Sequence, residues 1–95
     1  MINSLKISTT TEYKKGLKKI KKQNKDLTKI IYVINKLANQ EILEDKYRDH
    51  KLIGYGIDNC RECHIEPDWL LIYRIDKGCL ILLLIATGSH SDLFE

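Results

Sequence analysis

Cys60-Arg61-Glu62-Cys63-His64-Ile65-Glu66-Pro67-Asp68-Trp69-Leu70-Leu71-Ile72-Tyr73-Arg74-Ile75-Asp76-Lys77-Gly78-Cys79-Leu80-Ile81-Leu82-Leu83-Leu84-Ile85-Ala86-Thr87 is the stretch that decides the fold. Cys60 to Glu66 and Trp69 to Ile75 read as strands parted by a bend at Pro67, which has no N–H for a sheet ladder. Asp76-Lys77-Gly78 is a tight-turn signal. Cys79 to Thr87 is apolar on both faces and predicts a central strand covered on both sides. Joined this closely, the three make an antiparallel meander. Upstream, Gly54 and Gly56 bracket a turn or irregular strand. Downstream, Leu93 and Phe94 form a short terminal turn folding back onto the sheet.

The first half of the chain has the helical period instead. Ser4 to Ser8 alternate as a short strand. Thr9 followed by Glu12 fits a capping box, and Tyr13, Leu17 and Ile20 then recur at helical spacing. Asn24 and Asp26 mark a break, with Asp26 a good N-cap for a second helix. Leu27, Ile30, Ile31, Ile34, Leu37 and Ala38 trace its core-facing stripe. So short a link predicts an antiparallel helical hairpin. The expected architecture is α+β: N-terminal strand, helical hairpin, antiparallel meander, C-terminal turn, in one domain spanning residues 1–95.

Composition narrows the class. No run reaches the ~20 apolar residues of a membrane helix. The N-terminus lacks the basic-then-apolar form of a secretory signal, so the expected location is the cytoplasm, where the three cysteines would be reduced. The net charge of +3 is unevenly spread: residues 1–48 carry twelve Lys/Arg against five Asp/Glu, residues 49–95 four against eight. Lys14, Lys15, Lys18, Lys19, Lys21, Lys22, Lys25 and Lys29 form the densest cluster. Such a patch suits a phosphate backbone or an acidic partner, and equally a solvated helix face.

All three histidines lie in the second half, in the phrases Asp49-His50, Arg61-Glu62-Cys63-His64 and Thr87-Gly88-Ser89-His90-Ser91-Asp92. Each has a nearby carboxylate or hydroxyl that could orient it. Converging imidazoles are raw material for acid–base chemistry; three unrelated histidines are the alternative. On a strand, Glu62 and His64 share a face opposite Arg61 and Cys63. Asp68 follows the proline bend, and Gly88 permits a turn toward His90. Cys60-Arg61-Glu62-Cys63-His64 also matches the C-x-x-C-H haem pattern, but the missing export signal argues against that. Odd spacing sends Cys60 and Cys63 to opposite faces, which also weakens a zinc site built from Cys60, Cys63, Cys79 and His64. No metal or cofactor is expected.

Residues 49–94 closely resemble the YafQ-type branch of the RelE toxin superfamily. The resemblance rests on Asp49-His50, Arg61-Glu62-Cys63-His64-Ile65-Glu66-Pro67-Asp68-Trp69-Leu70-Leu71-Ile72-Tyr73 and Thr87-Gly88-Ser89-His90-Ser91-Asp92-Leu93-Phe94. It implies a RelE-like fold and a toxin of a type II toxin–antitoxin pair that enters the ribosomal A site and cuts mRNA. The implied reaction is metal-independent: a ribose 2′-hydroxyl attacks the adjacent phosphate and leaves a 2′,3′-cyclic phosphate. Carried over by position, His50, His64, Asp68 and His90 would supply the general base, the general acid and their orientation. Phe94 would fix the terminal turn or pack against substrate. The implied partners are a cognate antitoxin, rRNA of the translating ribosome and mRNA, with no membrane.

One position departs from that pattern. Such toxins usually carry an arginine on the last strand, three residues before the Ser89-His90 pair; here that position is Ala86. A cation beside the phosphorane should supply a dominant electrostatic term. The expectation is therefore a toxin impaired at Ala86, by a deliberate or selected substitution. Natural divergence, with Arg74 or a lysine standing in, is the alternative. A non-catalytic module that occupies the ribosome or the antitoxin is the competing function. Within the resemblance, Lys14 through Lys29 and Arg61 become candidate RNA contacts, or a surface for the antitoxin.

Overall fold

In the computed structural model, which describes residues 4–94, a five-stranded sheet carries β1 (Lys6–Thr9), β2 (His50–Lys51), β3 (Arg61–Glu66), β4 (Trp69–Asp76) and β5 (Ile81–Gly88) in the order β1-β5-β4-β3-β2. The meander β3-β4-β5 is antiparallel, as expected. β1 joins its far side parallel to β5, so the sheet is mixed. β5 is an interior strand with both faces covered: Leu82 and Leu84 face the helices, Ile85 and Ala86 the opposite side.

Helices α1 (Thr11–Lys22) and α2 (Leu27–Ala38) supply Tyr13, Ile20, Ile30, Val33 and Leu37 to the main core against Cys63, Ile65, Trp69, Leu71 and Tyr73. The α1 cap is Thr10 rather than Thr9. Thr9 is committed to the ladder opposite Leu84, while the Thr10 hydroxyl accepts from Tyr13 N at 3.0 Å and donates to the Ile85 carbonyl at 2.6 Å. Asp26 caps α2 as expected, accepting from Thr28 N at 3.0 Å. The expected stripe needs one exchange: Ile31 is 53% exposed and Val33 fully buried. With Ile30, Val33 and Leu37 facing the sheet, Ile31 is rotated onto the flank.

Both long helices end in a Schellman motif without glycine. Lys25 N donates to the Ile20 carbonyl and Asn24 N to Lys21; Glu41 N donates to Lys36 and Gln40 N to Leu37. Asn24 and Gln40 take the left-handed conformation that closes each end. β5 begins at Ile81, not Cys79, because the turn runs on through Leu80 at φ 55°. Cys79 is consequently exposed, whereas Cys60 and Cys63 are buried.

α1 lies along β5 beyond the end of β1. A Cβ on Gly16 would come within 2.1 Å of the Thr87 carbonyl oxygen, so only glycine permits this approach. Beneath the sheet, the segment 52–60 folds over the face opposite the helices, packing Leu52 and Tyr55 with Leu93 against Cys60, Ile72, Ile85 and Ala86. The terminal turn is α3 (His90–Phe94). No helix among the described residues is long and apolar enough to cross a membrane.

Candidate active site

β2, absent from the sequence expectation, brings His50 into the site. It pairs His50 with Glu62, which pairs with Ile72, which pairs with Ala86. These four therefore form one row across the sheet, and alternation places His64, Leu70 and Gly88 in the neighbouring row of the same face. The site is thus built at one end of the face opposite α1 and α2, beside the Pro67 turn.

Glu62 is its centre. It is 6% exposed, and its Oε1 lies 3.3 Å from His50 Nε2 and 3.7 Å from His64 Nε2. The two rings have centroids 6.3 Å apart. On their other sides, His50 Nδ1 meets the Arg48 carbonyl at 2.6 Å and His64 Nδ1 meets the Pro67 carbonyl at 3.3 Å. A carbonyl only accepts, so each Nδ1 carries a proton and each Nε2 is turned toward the carboxylate. The set can hold or pass a proton among three groups.

A second pair adjoins through the same turn. Asp68 Oδ1 accepts from the His90 backbone N–H at 2.9 Å, fixing the start of α3 to the Pro67–Asp68 bend. Ser89 and Asp92 cap α3 reciprocally: Asp92 N donates to Ser89 Oγ and Ser89 N to Asp92 Oδ2, both at 3.1 Å. The His90 ring packs tilted against Phe94 with centroids 4.9 Å apart, and Phe94 meets Tyr55 edge-on at 5.9 Å. Gly88 allows this closure, since a Cβ there would stand 3.1 Å from Asp92 Cβ. Underneath, the buried Trp69 indole donates to Thr87 Oγ1 at 3.0 Å, and that hydroxyl donates to the Leu70 carbonyl at 2.7 Å.

Not every neighbour in sequence orients its histidine. Asp49 turns away from His50 to accept from the Tyr73 hydroxyl and from Arg61 Nε at 3.3 Å. Burial and the Asp49 carboxylate raise the Tyr73 phenol. Arg61 is thereby engaged on the face opposite His64. Asp92 is held low by Lys19 and the Ser89 amide rather than serving His90. Parity signalled Glu62 as a companion of His64; its contact with His50 had no sequence signal.

Ala86 is 3% exposed, but a cavity of about 360 Å³ opens beside it, bordered by Glu12, Lys15, Lys19, Tyr55 and Asp92. Arg74, whose ladder partner is Leu83, stands two residues, about 7 Å, along β4 from Ile72, the partner of Ala86. It lies near enough to Cys60 to act on its thiol, so it remains an alternative cation for this part of the sheet. Of the lysines, Lys14, Lys15, Lys18, Lys19, Lys21, Lys22 and Lys29 are exposed and Lys25 is half-buried. Lys25 and Lys29 clasp Glu66 at 3.2 and 2.8 Å, drawing its carboxyl below the usual range. Burial raises the thiols of Cys60 and Cys63, which sit in different clusters on opposite faces. No group of three or more metal-ligating side chains occurs among the described residues.

Residues 5–95 match the family model described as a bacterial toxin of type II toxin–antitoxin systems, YafQ. The chain is 38% identical over 90 residues to the mRNA interferase toxin YafQ of Escherichia coli K12, covering 93% of this chain and 94% of that one. Among solved structures, it resembles a metal-bound toxin from Helicobacter pylori with a TM-score of 0.88 and 42% identity, covering 95% and 99% of the two chains. It also resembles the Escherichia coli DinJ–YafQ toxin–antitoxin complex, with a TM-score of 0.87, 34% identity, and coverage of 97% and 99%.

Proposed function

Because the chain belongs to the YafQ family of bacterial toxins of type II toxin–antitoxin systems, we propose that it is a metal-independent mRNA endoribonuclease acting on translating ribosomes in the cytoplasm, impaired here by alanine at position 86. The observation that carries this reading is the convergence of His50, Glu62 and His64 with Asp68 and His90 at one end of one sheet face.

The arrangement suits cleavage by the RNA's own 2′-hydroxyl. One imidazole removes the 2′-proton as the 2′-oxygen attacks phosphorus. The bond from phosphorus to the 5′ oxygen breaks, and a second imidazole protonates that oxygen, leaving a 2′,3′-cyclic phosphate. Glu62 orients and charge-balances His50 and His64. Asp68 positions His90 through its backbone, and Phe94 supports the His90 ring. The exposed lysines Lys14, Lys15, Lys18, Lys21 and Lys22 contact rRNA phosphates. Lys19, Lys25, Lys29 and Arg61 join them from positions already paired with carboxylates. The name of the DinJ–YafQ complex supports a cognate antitoxin as the partner here too.

Impairment follows from charge. Chemistry at phosphorus loads negative charge onto nonbridging oxygens, and a cation there is worth about 2.7–4 kcal/mol if it resembles a single oxyanion donor. Ala86 offers a methyl packed with Cys60, Ile72 and Ile85. That apolar setting equally favours a second reading, a non-catalytic module of the same fold occupying the ribosome or antitoxin. Ala86→Arg separates the two. Growth arrest and mRNA cleavage by the variant support the nuclease. A folded, ribosome-binding variant that still cannot cut supports the non-catalytic module.

A further inference from the structure

Around the corner from Glu62, just before β2 begins, a cleft of about 470 Å³ lies between the 3₁₀ turn Asp45–Tyr47, the start of α2 and the Pro67 bend. Lys29, Lys46, Tyr47, Arg48, His64 and Pro67 line it. The volume suits one nucleotide rather than a longer ligand. Its lining also includes Glu66, which neutralises Lys29 and leaves two uncommitted cations beside an aromatic ring and a proline, the pairing that single-stranded RNA selects: charge for phosphate, flat apolar surface for base or ribose.

Arg48 ties this cleft to the candidate catalytic set. It closes the 3₁₀ turn in the left-handed conformation at φ 49°, and its carbonyl accepts from His50 Nδ1 at 2.6 Å. Its guanidinium makes no hydrogen bond or ion pair among the described residues, unlike Lys29, which Glu66 holds at 2.8 Å. Lys46 Nζ lies 5.2 Å over the Tyr47 ring, placing a second charge at the rim. One residue therefore fixes His50 through its backbone and offers a planar, always-charged fork where His64 opens to solvent.

We propose that this cleft is the subsite for the RNA nucleotide next to the scissile phosphate, with Arg48 and Lys46 on its phosphate and Tyr47 and Pro67 against its base or ribose. The inference rests on the RNA-cleaving reading and adds to it a binding determinant distinct from the α1 lysines. Arg48 sets how tightly and in what register the strand lies, and Arg48→Lys keeps the charge but loses the fork.

The test is an NMR titration of the ¹⁵N-labelled chain, alone and on ribosomes, with a single-stranded RNA hexamer carrying one 2′-deoxy residue to block cleavage. Amide shifts concentrated at Lys46, Tyr47, Arg48 and Asp68 support the subsite. So does weakening of roughly tenfold in Arg48→Ala, the loss expected for one charge-assisted hydrogen bond. Arg48→Lys should fall between, and Tyr47→Leu should weaken binding while the fold stays intact by its amide spectrum. RNA binding with shifts confined to α1, unaffected by either variant, overturns the subsite and leaves the nuclease reading standing. No RNA binding in either setting overturns both.

Discussion

The backbone N–H of His90 donates to the Asp68 carboxylate at 2.9 Å, joining two residues twenty-two positions apart at the mouth of the site. Asp68 thus fixes where α3 begins, and α3 fixes the His90 ring against Phe94. Asp68→Ala should leave the sheet intact while the His90 amide loses hydrogen-exchange protection and cleavage by an Ala86→Arg background falls. Asp68→Asn, which keeps an accepting oxygen, should retain most protection. Equal protection in Asp68→Ala and the parent would show that this bond does not hold α3.

Gly16 offers a test with a sign opposite to the ordinary rule. Alanine in a helix interior normally stabilises by about 0.5–1 kcal/mol over glycine. Here a Cβ would stand 2.1 Å from the Thr87 carbonyl oxygen, so α1 must move off β5. Gly16→Ala should lose about 1–3 kcal/mol of stability. Urea unfolding measures it, and a stabilised variant would mean that α1 is not seated on Thr87.

Glu62 should matter to reaction more than to folding. Glu62→Gln keeps shape but withdraws the negative charge lying 3.3 Å from His50 and 3.7 Å from His64. In the Ala86→Arg background, cleavage should fall by about 10²-fold, the lower end of what acid–base positioning contributes. The circular dichroism spectrum should not change. Full activity in Glu62→Gln would remove the carboxylate from the mechanism.

Acid should loosen the ties between elements first. Hydrogen bonds from Tyr32 and Lys36 draw Glu44 from 4.5 down to about 2. Lys29 lowers Glu66 and Lys19 lowers Asp92. A carboxyl lowered in the folded state stabilises above its unfolded value and loses that contribution as pH falls through the folded one. Stability should therefore decline below about pH 4.5 and keep falling toward pH 2. Glu44→Gln should flatten part of that slope in thermal melts taken across the range; an unchanged slope would remove Glu44 from the acid response.

Much of this was legible in the chain because two periods are legible. Leu82 and Leu84 on one face, with Ile85 and Ala86 on the other, are what an interior strand requires, and Asp26 capped α2 where its side chain could reach Thr28. Less visible was what depends on backbone geometry without a residue signature. Gln40 closes the second helix in the left-handed conformation where glycine or asparagine would have announced it, as Asn24 does for the first. β2 is two residues long and exposed, too short to show alternation, and it alone delivers His50 to Glu62. For the same reason the sequence offers Asp49 as a companion of His50, although its side chain turns to Tyr73 on the other face. The Arg48 cleft arises in the turn that precedes β2, which no sequence pattern records.

The most direct measurement is the chemistry of the mRNA ends left on translating ribosomes by Ala86→Arg, read by mass spectrometry beside the same protein carrying His64→Ala or His90→Ala. The account predicts 5′ fragments whose 3′ ends carry a 2′,3′-cyclic phosphate and 3′ fragments that begin with a 5′-hydroxyl, produced without added metal, far less product from the parent chain, and loss of product in both histidine variants. Intact mRNA with a folded, ribosome-bound Ala86→Arg protein, or cleavage unaffected by loss of His64 and His90, would contradict it.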